Sequence, residues 1–123
     1  WSAFSNMNRE QLITQIYDAL YCMGFKAKRT GFFYLSYSVL LCIEEGSDRF
    51  SASQLLVKVA KHYRTSPKTV SAMIHAAVIK VWTTDRDRME AMAGYRLERR
   101  PSDTEILAYL YRYITGRTLE ERD

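Results

Sequence analysis

The chain has 123 residues, 47% of them hydrophobic and 26% charged, which suits one domain able to bury a core without disulfides or metals. Two prolines and five glycines leave too few turns for an all-β fold, and the longest apolar run, Tyr34 to Ile43, is too short to span a bilayer. The net charge of +4 is unevenly placed: Arg49 to Thr84 holds six basic residues and no acid, while the other 12 of the 18 basic residues share the remaining sequence with all 14 acidic ones. A local basic patch of this kind points to a polyanionic partner.

Trp1 to Met7 reads as a linker or a cloning remnant, and no secretory signal is visible. A first helix is predicted from about Asn8 to Met23, with Asn8 as N-cap, Gln11 in the reciprocal capping position and Gly24 as its end. The loop Phe25 to Thr30 carries Lys26, Lys28 and Arg29. A second helix, about Gly31 to Glu45, is apolar nearly all round, as a central buried helix is. Glu44 and Glu45 then stand unfavourably at its C-terminus.

Ser51 or Ser53 caps a third helix that ends near Tyr63. The fourth starts with Ser66 as N-cap and Pro67 at the first helical position, where the missing N–H has no helical partner anyway. Val70, Met73, Ile74, Ala77, Val78, Val81 and Trp82 then form one apolar stripe. A short fifth helix covers about Asp85 to Ala93, and the loop Tyr95 to Pro101 carries Arg96, Arg99 and Arg100. Ser102 and Glu105 form a capping box for the sixth. The expected domain is thus all-α, six helices over residues 8–115, followed by a polar tail at 116–123 that should fray.

Only Arg64 to Ser66 separates the third and fourth helices, a spacing that suits a helix-turn-helix. Ala60 is small where the helices cross, Val59 and Tyr63 offer contacts to Val70, Met73 and Ile74, and Arg64 or Thr65 stands where such turns often use glycine. The outward face of the fourth helix, about 67–82, carries mostly short side chains: Lys68, Thr69, Ser71, Ala72, His75, Ala76 and Ile79. A recognition helix enters the major groove with its N-terminal residues nearest the bases. Lys68, Thr69, Ser71, Ala72 and His75 are therefore the expected base contacts. Lys58, Lys61, Arg64 and Ser66, with Lys26, Lys28, Arg29, Arg99 and Arg100 from the loops, are the expected phosphate contacts. The bland alternative is an amphipathic core helix with a small-residue face packed on a neighbour. The exposed Ile79 favours it.

Three blocks carry a resemblance: GFKAKRTGFFYLSYSV (Gly24 to Val39), LLVKVAKHYRTSPKTVSAMIHAAVIKVW (Leu55 to Trp82) and GYRLERRPSDTEILAYL (Gly94 to Leu110). In order and spacing the chain resembles the C-terminal DNA-binding domain of the master response regulator that initiates sporulation in endospore-forming bacteria. The resemblance implies a transcription regulator that is cytoplasmic and nucleoid-associated when bound. It further implies double-stranded DNA as partner, a homodimer on tandem sites and a contact with RNA polymerase. Members usually carry an N-terminal receiver domain, and none lies within these residues. The loop before Pro101 is shorter than the family's. Where the family reads bases with an acid and arginines, this chain has Ser71, Ala72 and His75, so the family's target box should be poorly discriminated.

Enzyme chemistry is not expected. His62 and His75, placed on the basic surface, have no catalytic partner at a telling spacing, and no metal-ligand or cofactor motif is present. Cys22 and Cys42 read as reduced core thiols. The rival function is a helical protein-interaction module that kept the fold and lost DNA binding, with Trp1, Phe4, Phe25 and the nine tyrosines supplying an apolar interface.

Overall fold

The structure, a computed structural model, describes residues 8–46 and 48–122, so the reading of Trp1 to Met7 lies outside the described residues. Within them the order is α1 (Arg9–Met23), α2 (Thr30–Glu44), β1 (Arg49–Phe50), α3 (Ala52–Tyr63), α4 (Pro67–Thr84), α5 (Arg86–Ala93), α6 (Asp103–Thr115) and β2 (Glu120–Glu121). Among the described residues, no helix is long and apolar enough to cross a membrane.

The helix starts follow from local chemistry. Asn8 Oδ1 accepts from the Gln11 N–H at 2.8 Å while the Gln11 side chain accepts from the Asn8 N–H at 3.1 Å. Ser102 and Glu105 repeat this reciprocal cap on α6. Ser51 rather than Ser53 caps α3. Ser66 Oγ accepts from the Thr69 N–H at 3.1 Å, a cap worth about 1 kcal/mol.

α2 is the central helix and touches α1, α3, α4 and α6. Phe32, Leu35, Val39, Leu40 and Ile43 are buried there. Ser36 and Ser38 are buried as well, and each hydroxyl donates to a carbonyl one turn back, of Phe32 and Tyr34, so neither is left unsatisfied. The acids at the end of α2 are compensated: Glu44 pairs with Arg9 at 2.9 Å and Glu45 with Lys58.

Four expectations need correction. The tail does not simply fray: Leu119 is buried, and β2 pairs in parallel with β1, Arg49 opposite Glu120 and Phe50 opposite Glu121. Burial of that one apolar side chain against the core draws the polar residues around it into order. Cys42 is buried, with its thiol pushed up to about 12 by desolvation, but Cys22 is exposed on α1. Phe25 is buried rather than available for an interface. The Tyr63 ring meets α2 residues that its spacing did not indicate, Tyr34 at 5.0 Å and Tyr37 at 5.8 Å.

Candidate nucleic-acid interface

α3 and α4 form the helix-turn-helix. Arg64 takes the left-handed conformation at the end of α3 (φ 58°), the position that such a turn otherwise gives to glycine. Its N–H and that of Thr65 satisfy the Lys61 and Ala60 carbonyls. Behind the turn, Val59, Ala60, Val70 and Ile74 are buried together in the core.

Rotation of α4 is fixed by its buried row: Val70, Ile74, Ala77, Val78 and Val81. With 3.6 residues per turn, the row farthest from the core is Lys68, Ala72, Ala76, Ile79 and Thr83, all of them exposed. Met73, placed on the apolar stripe by its spacing, lies at the edge and is 39% exposed, because the helical period carries it past the buried row. Trp82 is partly buried, with the Arg86 guanidinium 3.5 Å above its ring.

One flank of α4 meets the loop between α1 and α2. Lys26, Lys28 and Arg29 line a cleft of ≈ 280 Å³ together with Ala77, Lys80, Thr84 and Asp85. Lys80 therefore belongs with the loop cations, although it stands more than fifty residues from them in sequence. Asp85 is the carboxylate of this cleft; it accepts from the Thr84 hydroxyl at 3.1 Å and lies 3.9 Å from Arg88.

The other flank meets the start of α6. His75 Nδ1 is 3.4 Å from Asp103 Oδ1. Ser71 is partly buried and lines an apolar cleft of ≈ 250 Å³ with Ile74, Asp103, Thr104 and Leu107. Ser71 and His75 thus stand at the α6 edge of the helix. Lys68 and Ala72 stand in the outermost row, with exposed Thr69 beside them, its hydroxyl accepting from that of Ser66 at 2.9 Å.

The cations divide into two groups. Lys58 pairs with Glu45 and Arg99 with Glu105, at 3.1 Å in the second case. Among the described residues, no carboxylate stands at ion-pair distance from Lys26, Lys28, Arg29, Lys61, Arg64, Lys68, Lys80 or Arg100. Sequence spacing alone did not separate these groups, because the carboxylate partner of Lys58 comes from another helix. His62 is exposed, and its ring stacks on Tyr37 at 4.0 Å and borders a cleft with Tyr17, Phe33 and Tyr63.

A helix-turn-helix whose second helix exposes one full face between unpaired cations is the arrangement of a domain built to meet a polyanion. The chain belongs to the family described as sporulation initiation factor Spo0A C terminal, whose model matches residues 16–114. This is a family of DNA-binding effector domains of a sporulation regulator. No curated protein sequence matches the chain.

Proposed function

We propose that the domain binds double-stranded DNA with α4 in the major groove and regulates transcription from the sites it occupies. The observation that supports this best is the set of cations without carboxylate partners beside the exposed face of α4. Lys26, Lys28 and Arg29 join Lys80 on one flank, and Lys61, Arg64 and Lys68 stand around the turn. They take phosphates, with Ser66 and Arg100 assisting; Lys58 and Arg99 contribute less because each already holds a carboxylate. Thr69 and Ala72 approach the bases directly, with Lys68 holding the phosphate beside them. Ser71 and His75 reach only base edges on the α6 side. The reading extends to action in the bacterial cytoplasm, on the nucleoid, as a homodimer on tandem sites and in contact with RNA polymerase.

The test is binding to random-sequence duplex DNA at several salt concentrations. The logarithm of affinity should fall linearly with the logarithm of salt, by roughly 0.9 per phosphate neutralised. A second reading, a protein-interaction module, is favoured by one observation, the cleft of ≈ 310 Å³ lined by Tyr17, Phe33, Tyr37, His62 and Tyr63. Absence of duplex binding at low salt would select that reading.

A further inference from the structure

Ile79 has no role in the recognition scheme above, yet it stands in the outermost row of α4 and is 37% exposed. Within that row it is the one large apolar side chain. The same row holds Ala72 and Ala76, so its centre presents methyl groups and no hydrogen-bonding side chain. In the major groove the one apolar feature of a base-pair edge is the thymine C5 methyl. We infer that Ile79, with Ala76 beside it, reads thymine methyl groups, so that the domain recognises its sites in part by apolar contact. This rests on the proposed seating of α4 in the major groove.

The placement of charge supports contact along the whole row and not at the helix start alone. Lys68 stands near the first turn of α4, while Lys80 adjoins Ile79 in sequence and shares the flanking cleft with Lys26, Lys28 and Arg29. Phosphates held at both ends keep the C-terminal half of the helix against the groove. From Ala72 to Ile79 the helix rises about 10 Å, close to three base-pair steps of about 3.4 Å. The row is therefore long enough to meet more than one base pair.

Thymine and uracil differ only in this methyl group and keep the same hydrogen-bonding edge. The experiment uses the duplex that the protein enriches from a randomised pool, and the same duplex with deoxyuridine in place of every thymidine. Affinity should fall on substitution by roughly fourfold for each methyl group in contact. Ile79→Ala should bind the thymidine duplex more weakly and lose most of the preference for it over the deoxyuridine form. Its fold is checked by circular dichroism, and Ile79→Val, which keeps a branched apolar side chain, should retain the preference. Equal binding of both duplexes by the unaltered protein overturns the inference while leaving DNA binding intact. So does a preference that survives Ile79→Ala unchanged. Failure to bind any duplex at low salt removes both this inference and the seating of α4 on which it rests.

Discussion

Gly31 at the start of α2 lies against the backbone of α4: a Cβ added to it would stand 2.3 Å from the Met73 carbonyl oxygen and 3.0 Å from the Ala77 Cβ. The glycine is there for space, since two helix backbones approach at this point and neither can move alone. It therefore sets how far α4 stands out from the domain. Gly31→Ala should cost about 3 kcal/mol in urea denaturation, the upper end of overpacking penalties, because the obstacle is backbone rather than a flexible side chain. Duplex affinity of the folded fraction should fall as well, since α4 is displaced. An unchanged denaturation midpoint would show that the crossing is loose.

Lys80 and Lys28 share a cleft, whereas Lys58 is tied to Glu45. Lys80→Ala and Lys28→Ala should each weaken binding on all sequences alike and reduce the salt slope by roughly 0.9. Lys58→Ala should change the slope less, because its ammonium must leave Glu45 before it meets a phosphate. Fluorescence anisotropy over a salt series separates the two groups. Equal slopes for Lys58→Ala and Lys80→Ala would dissolve the distinction drawn from the ion pairs.

Ala72 offers the simplest gain of function. It lies in the outermost row of α4 and is exposed, so an arginine there meets no packed neighbour. Ala72→Arg should leave stability unchanged and favour duplexes with guanine at one position, by about 1–3 kcal/mol if the contact is bidentate. Selection from randomised duplexes before and after the substitution reads this out. Ser71→Glu is a poorer choice, because Ser71 shares its cleft with the Asp103 carboxylate.

The Glu105 carboxyl is held below the usual carboxylate range, first by the Ser102 N–H it accepts and further by Arg99. A carboxyl whose native pKa is depressed contributes stability above its unfolded value, and that contribution is lost as pH falls through the native value. Thermal stability should therefore decline on acidification below about pH 4. Glu105→Gln should be less stable than the parent near neutrality and show a shallower acid limb. Parallel acid limbs in the two proteins would mean that this carboxylate is not a significant part of acid sensitivity.

Most helix boundaries were legible because their causes are local. Asn8 and Gln11, Ser66 and Pro67, and Ser102 with Glu105 act within one turn, so their spacing alone identifies the caps. The helix-turn-helix was legible for the same reason, although its spacing left both Arg64 and Thr65 open for the left-handed residue that the structure assigns to Arg64. What escaped was set by contacts between distant segments. Nothing near Lys80 in sequence announces the loop at Lys26 to Arg29, and nothing near His75 announces Asp103. Leu119 is a single apolar residue in a polar stretch, without periodicity to reveal its burial.

The pairing of β1 with β2 joins residues about seventy positions apart and so closes a loop around α3 to α6. Its two-residue strands add little beyond the burial of Leu119. Closing a loop of this length carries an entropic cost that short-range helix contacts avoid. The helical pair α3–α4 needs only near neighbours, and so it should assemble first, with the clasp fastening late. A contact made after the transition state slows unfolding without speeding folding. Leu119→Ala should thus lower stability by about 2–5 kcal/mol almost wholly through faster unfolding in stopped-flow traces. The clasp then governs how long the domain stays folded, and the helices around it govern how quickly it folds.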